Sequence, residues 1–284
     1  MTFTQIAIIG TGLIGGSFAL AARRAGFTGQ IVGCDREPVL AKARDFGAID
    51  RAVTSPEEAV KGSDLVVLAT PVGSIIDLLE RVGPLVDART LITDVGSTKI
   101  EIMSRARDVF GLNVNNRFLP GHPMAGKENS GVEYADADLF RDAVWLLTPF
   151  PGQDLANPTL AGFVDLLHKF GARVLTFEPQ EHDRVCALVS HLPQMMSTAF
   201  ASMLVEEIGD DPQAGAIGGR ALREMTRIAH SPYSMWRDIA LTNTANIQDA
   251  LLKLEQKLAY IRESLRTREL EEEFEQAHEL GSKK

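Results

Sequence analysis

Four side chains in this sequence are of types that move protons or hold anions: Ser97, His122, His191 and Arg227. His122 stands in GHPMAG (121–126), two positions past the apolar run FLP. Pro123 keeps His122 out of the helical region and stiffens the bend. Two readings follow: a turn that tolerates an imidazole, or a turn that presents one. An imidazole titrates near neutrality and accepts a proton from a hydroxyl. Ser97 follows the run TLITDV (90–95). Thr98 and Glu101 form a T-x-x-E capping box of their own, so Thr98 is expected to cap the next helix and leave the Ser97 hydroxyl free for the crevice.

His191 lies in a stretch without Asp, Glu, Lys or Arg, 185–205, two residues before Pro193. Pro193 leaves the carbonyl of Val189 without its helical partner and is expected to kink the helix there. A core histidine with its own hydrogen bonds is the plain alternative. Arg227, in MTRIAHSPYSMW, is flanked by Met225, Ile228 and Ala229. A guanidinium in apolar company normally faces a carboxylate, and its fork fits one bidentately. That carboxylate is either a ligand's or an internal one such as Glu224 or Glu128. Trp236 reads as core or pocket wall.

These groups need a scaffold, and the first sixty residues suggest one. Gly10-Thr11-Gly12-Leu13-Ile14-Gly15 is a G-x-G-x-x-G that directly follows the strand-like IAIIG and opens the helix-like LIGGSFALAARRAG. Gly10 permits the tight turn, Gly12 lets the backbone approach a pyrophosphate, and Gly15 lets helix and strand pack closely. Asp35 ends the next strand, 20 residues after Gly15. A carboxylate there accepts from the adenine-ribose hydroxyls and repels a 2′-phosphate. NAD is therefore expected; Arg36 beside it suits such a phosphate, so NADP stays open. Thr70 and Pro71 end the run LVVLA, on the side of a sheet where ligands of open α/β folds bind. A glycine-rich turn with no ligand is the alternative.

Seven runs read as strands: 6–10, 31–34, 65–69, 90–95, 117–121, 143–147 and 173–177. Most are nearly continuous in apolar residues, the pattern of strands buried on both faces. Helix signals lie between them, such as Ser55-Pro56-Glu57-Glu58 with a capping Ser and Pro at the first helical position. Alternating strands and helices predict an α/β fold with a doubly wound parallel sheet. Past residue 178 strand candidates stop, and helix-permissive stretches cover 181–207, 212–229, 232–264 and 266–280. Two domains follow: 1–178, binding a dinucleotide, and 179–284, all-helical.

The chain has 284 residues, 45% hydrophobic, and a net charge of −9. That charge argues against a nucleic-acid surface. Six Glu between 269 and 279 read as a solvated helix or tail. Two cysteines, Cys34 and Cys186, are too few for a disulfide framework or metal knuckle and read as core residues of a cytoplasmic protein. No targeting segment is expected ahead of IAIIG, which begins at Ile6, and no metal is expected. The 185–205 run carries Ser190, His191, Pro193 and Gln194, which a lipid-exposed helix would not hold; a buried or subunit-interface helix is expected instead.

GTGLIGGS, DVGSTK, GHPMAGKENSG, SHLPQ and TRIAHSPYSMWRDI occur in that order. Together they resemble the prephenate and arogenate (cyclohexadienyl) dehydrogenases of tyrosine biosynthesis, over roughly residues 5–243. The resemblance implies NAD(P)-dependent oxidative decarboxylation of a cyclohexadienol. His122 would deprotonate the C4 hydroxyl with help from Ser97, and Arg227 would bind a substrate carboxylate. His191 would contact the substrate, and Glu128 would line the pocket near Arg227. The helical domains would pair as a homodimer. Where that family often has Gly-Phe-Arg-Asp and an aromatic before Thr226, this chain has Ala221-Leu222-Arg223-Glu224-Met225, and Lys127 stands where a small polar residue is expected. No fused mutase or regulatory module is expected at this length.

Three other protein classes share parts of this pattern. β-Hydroxyacid dehydrogenases share the outline but need a lysine on a helix of the second domain, and no Lys lies between Lys169 and Lys253. Imine and pyrroline-carboxylate reductases do not call for the GHPMAG histidine. A non-catalytic NAD-binding sensor needs neither base nor carboxylate clamp.

Overall fold

A computed structural model describes residues 3–127, 129–209, 213 and 217–282. Its larger sheet has six parallel strands: β1 (Gln5–Ile9), β2 (Gln30–Cys34), β3 (Arg51–Val53), β4 (Leu65–Leu68), β5 (Leu91–Asp94) and β6 (Phe118–Leu119). They lie in the order β3-β2-β1-β4-β5-β6. The continuous apolar runs are explained by two cores. Ile6 and Ile8 of β1 and Leu65 and Val67 of β4 enter one; Ala7, Ile9, Val66 and Leu68 enter the other. Each Val, Leu or Ile side chain withdrawn from water stabilises by roughly 1.5–3 kcal/mol.

The helices of this half are α1 (Leu13–Arg24), α2 (Glu37–Asp45), α3 (Pro56–Ala59), α4 (Val72–Val82), α5 (Ile100–Phe110), α6 (Val114–Arg117) and α7 (Pro158–Lys169). Ser55 caps α3 as its sequence predicts, accepting from Glu58 N at 3.2 Å. The strand order reverses direction between β1 and β4, so their carboxyl ends diverge into a crevice.

Four features depart from the sequence reading. The later strand runs do not extend the parallel sheet: β7 (Gly121–Pro123), β8 (Val144–Leu147) and β9 (Arg173–Thr176) make a second sheet, with β7 antiparallel to β8 and β8 parallel to β9. The run 117–121 is therefore cut between Leu119 and Gly121, where the chain leaves one sheet for the other. Strand β3 has only three residues, two of them half-buried, too short for an apolar pattern to announce it.

The third departure is at Pro193. After Thr176 every described element is helical. Helix α8 (Pro179–Cys186) runs through a π turn, Ala187–His191, into α9 (Leu192–Ile208). Leu192 N bonds back to Ala187 O, five residues earlier. The wider turn places Pro193 in the first turn of α9, so its missing N–H is accommodated by a π bulge rather than a sharp kink. The helical stretch expected at 232–264 is divided at Asn243 into Tyr233–Thr242 and Thr244–Glu263. Both cysteines are free and buried. No helix among the described residues is long and apolar enough to cross a membrane.

Helix α1 sits unusually close to β1. A Cβ at Gly15 would lie 1.9 Å from Gly10 O, a backbone atom that cannot swing aside. Gly15→Ala should therefore push α1 off the sheet and cost about 1–3 kcal/mol. Thermal unfolding measures this, and an unchanged midpoint would contradict the packing.

Candidate active site

The glycine-rich turn lies where β1 and β4 end. Gly10 has φ +95°, and a Cβ there would lie 2.4 Å from Ala69 O, so this position excludes side chains on two grounds. Gly12, by contrast, has nothing within 4 Å of a built Cβ. It opens α1 without a side-chain cap, leaving the helix's first N–H groups to an anion in the crevice. Asp35 accepts from Thr11 N at 2.8 Å and from Arg36 N at 2.8 Å, so it holds the turn against the end of β2. Arg36 is exposed at the start of α2. Pro71 precedes α4, and the buried Thr70 Oγ1 has no hydrogen-bond partner.

The next strand end carries a buried ion pair. Asp94, last residue of β5, and Lys99 are both 0% exposed and bonded through Asp94 Oδ2 and Lys99 Nζ. Asp94 also accepts from Gly96 N at 2.8 Å and Gly121 N at 3.3 Å, and Lys99 Nζ donates to Gly121 O at 2.7 Å. The pair thus grips both polar groups of Gly121, the first residue of β7. A Cβ on Gly121 would lie 2.8 Å from Trp145 Nε1 and 2.9 Å from Asp94 O. His122, the next residue, has its position fixed from both sides of the chain.

His122 is on a strand, opposite Leu146 of β8, rather than in a turn. Its Nδ1 lies 3.0 Å from His182 Nε2, and His182 Nδ1 lies 2.7 Å from Asp183 Oδ1. Cys186 Sγ completes the group, 3.9 Å from His122 Nδ1 and 3.7 Å from His182 Nε2. Burial pushes the His122 pKa well below 6.5, and the nearby His182, Lys99 and His191 push the same way. Burial also lowers His182 and raises the Cys186 thiol to about 12. All three side chains are uncharged at neutral pH.

Asp183 has a second task. It accepts from Lys99 N at 2.8 Å and Ile100 N at 3.1 Å, capping α5 from another element. The T-x-x-E box at Thr98 and Glu101 does not form: α5 begins at Ile100, and Thr98 Oγ1 bonds Thr242 Oγ1 at 2.7 Å. Ser97 caps nothing either; it is half-buried between β5 and α5. His191 ends the π turn, fully buried, with Asn243 Nδ2 at 3.2 Å from Nδ1. Its Nε2 is buried without a partner, and burial lowers its pKa to about 4. Trp236 packs edge-on against it, centroids 5.9 Å apart.

Arg227 is exposed in a short 3-10 helix, Arg227–His230. It lines a cavity of about 590 Å³ with Gly126, Lys127, Asn129, His230 and Ser231. His122, Ser97 and His191 are not among the described residues lining that cavity. The segment after His122 connects the two regions. Glu224 pairs with Arg220 at 2.6 Å, and Lys127 donates to Tyr134 O and Asp136 at 3.0 and 3.1 Å. Glu128 lies outside the described residues. The sequence reading missed Lys99, His182, Asp183, Cys186 and Asn243 as parts of this site; an adjacent His-Asp pair next to the uncharged run was the one signal available.

Comparison with known proteins bears directly on this geometry. Residues 18–176 match the model of the prephenate dehydrogenase nucleotide-binding domain, and residues 178–279 match that of the prephenate dehydrogenase dimerization domain. The chain belongs to the prephenate dehydrogenase family. Prephenate dehydrogenase of Lactococcus lactis is 35% identical over 243 residues, 84% of this chain and 65% of that protein. The chain thus spans just under two thirds of that relative. The crystal structure of Aquifex aeolicus prephenate dehydrogenase, in complex with hydroxyphenyl propionate and NAD+, superposes with TM-score 0.88 at 33% identity. That comparison covers 100% of this chain and 98% of that one. Synechocystis arogenate dehydrogenase superposes with TM-score 0.78 at 26% identity, covering 98% and 99%. The glycine-rich turn precedes the first matched residue, so the dinucleotide reading of this family member rests on the turn's own geometry.

Replacing Lys99 by Met removes one partner of the buried pair and leaves Asp94 uncompensated. Urea unfolding should show a loss of about 3–5 kcal/mol; a loss below about 1 kcal/mol would mean that Asp94 takes up a proton at no cost.

Proposed function

We propose that this protein is an NAD-dependent dehydrogenase that oxidatively decarboxylates prephenate to 4-hydroxyphenylpyruvate, or arogenate to tyrosine. The observation that carries the reading is His122: a neutral imidazole, buried and held on a strand that starts where β5 and β6 end. A base kept neutral by burial is ready to accept a proton at ordinary pH.

NAD fits the turn. Gly12 leaves room for the pyrophosphate, the uncapped start of α1 offers it N–H groups, and Thr70 Oγ1 has a free donor at the same crevice. Asp35 accepts from two backbone N–H groups and, at 3.4 Å, from Thr11 Oγ1; a carboxylate has about four lone pairs in all, so Oδ1 still accepts from a ribose. The bound nicotinamide supplies the hydride acceptor.

The chain's residues do the rest. As hydride leaves C4, the C4 hydroxyl gives its proton to His122 Nε2, the nitrogen not facing His182. Loss of CO2 from C1 returns the electron pair to oxygen, and the phenolate can take the proton back. Ser97, half-buried and uncommitted to a cap, hydrogen-bonds the same oxygen. His191 offers its unpaired Nε2 to the substrate. Arg227 and Lys127 give the cavity positive charge suited to a carboxylate. Pairing of helical domains in a homodimer is supported by exposed Leu188, Val189 and Val205 in the uncharged run 185–205. The two-domain division at 178/179 and a cytoplasmic location belong to the same reading.

Steady-state kinetics with prephenate and with arogenate, each against NAD and NADP, test this. Turnover with NAD and at least one substrate is expected; no turnover of either overturns the proposal. His122→Asn should lower kcat by about 100-fold or more while NAD affinity holds; near-normal turnover would remove His122 from the chemistry. Arg227→Ala should raise the substrate KM by about tenfold or more, the loss expected for a charged hydrogen bond, and an unchanged KM would leave Arg227 a structural residue.

A further inference from the structure

A histidine is a base only at the nitrogen that lacks a proton, and the hydrogen bonds around His122 settle which one that is. Asp183 can only accept. It takes the N–H groups of Lys99 and Ile100 and, at 2.7 Å, His182 Nδ1. The proton of His182 is therefore on Nδ1. His182 is fully buried and neutral, so its Nε2 carries a lone pair. Facing that lone pair at 3.0 Å is His122 Nδ1, which must be the donor. His122 is then protonated on Nδ1 and free to accept on Nε2.

We infer that His182 and Asp183 are positioning residues that impose the Nδ1–H tautomer on His122 and offset the charge it acquires when it accepts the substrate proton. The inference rests on His122 being the base. A histidine side chain left to itself favours the proton on Nε2, which would block the nitrogen the reaction needs. Cys186 Sγ, a weak acceptor 3.9 Å from His122 Nδ1, competes poorly with His182 Nε2 at 3.0 Å. In the chemical step the substrate O–H bond breaks and an N–H bond forms at His122 Nε2. The Nδ1 proton stays on His122, and no second transfer is required. The new imidazolium is surrounded by His182, His191 and Lys99, and the Asp94 charge is already matched by Lys99. Asp183, one imidazole away, is the remaining carboxylate hydrogen-bonded into this group. Its field reaches His122 through the aligned hydrogen bonds of His182.

The same atoms admit a rival reading. One ligand atom from each of His122, His182 and Cys186 lies within 4.8 Å of the others, so the cluster has the makings of a metal site, with the His182–Asp183 contact as an outer-shell bond.

Protein labelled with ring 15N-histidine distinguishes these cases by NMR, the signals being assigned through single substitutions of the six histidines. Expected in the wild-type holoenzyme is the Nδ1–H tautomer for both His122 and His182. In His182→Phe, His122 should revert to Nε2–H. The variant's kcat should fall about 100-fold, while KM for substrate and NAD stays within about threefold, the split expected when an interaction matters only in the transition state. His182→Gln keeps an acceptor for His122 Nδ1–H and should recover part of the loss. An Nε2–H proton on wild-type His122 overturns the inference, even if His182→Phe fails to fold. So does a folded His182→Phe enzyme with wild-type kcat, or a His182→Gln variant no better than the Phe variant. A stoichiometric metal in the purified enzyme whose removal shifts the His122 signals also overturns it. If His122→Asn is inactive while His182→Phe is normal, the base assignment stands and only the positioning role falls.

Discussion

The buried pair of Asp94 and Lys99 is the interaction on which the rest of the site depends. Taking two charges out of water costs several kcal/mol per ion, and mutual attraction offsets this only when the remaining lone pairs and protons are used. Here they are used on backbone: Gly96 N, Gly121 N and Gly121 O. The pair therefore acts less as a stabiliser than as a clamp. It joins the end of β5 to the start of β7 across the point where the chain changes sheets, and it does so through atoms that no side-chain rearrangement can substitute. His122 inherits that rigidity as the adjacent residue.

The helical half supplies the other side of the arrangement, largely through polar groups that reach into the first half. Asp183 caps α5, Asp238 Oδ2 accepts from Gly73 N in the first turn of α4 at 3.0 Å, and Thr242 meets Thr98. Carboxylates at helix N-termini are favoured by the unpaired N–H groups and by the helix dipole. Both α4 and α5 lack caps of their own. The fold thus divides labour: one half makes helices whose ends point into the crevice, and the other satisfies those ends while bringing His182 and His191 alongside. The π turn fits this scheme, because it carries His191 at its last residue and lets Pro193 start α9.

Much of this was legible before any coordinates. Strands buried on both faces announce themselves by unbroken apolar runs, and the glycine turn by its place between strand and helix. His122 stood out because proline follows it. What escaped were groups whose partners lie far along the chain. His182 and Asp183 stand at the start of the helical region, and nothing nearby in sequence reveals that His122, 60 residues earlier, is their neighbour. Lys99 reads as a surface residue by type and is among the largest fully buried side chains. The capping box at Thr98 failed for a related reason: a local rule lost to a carboxylate arriving from another element. Asn243 breaks a helix-permissive stretch because its amide serves Asp183 O and His191 Nδ1 at once.

The two borrowed caps have a consequence for motion. Swinging the helical half away as a rigid body would strip the N-termini of α4 and α5 together, at roughly 1 kcal/mol for each cap, and would open the Thr98–Thr242 contact as well. Hinge-bending is thereby penalised at its first few degrees. The seam between the two halves is thereby the stiff part of the molecule, and the floor that carries His122 moves with neither half alone.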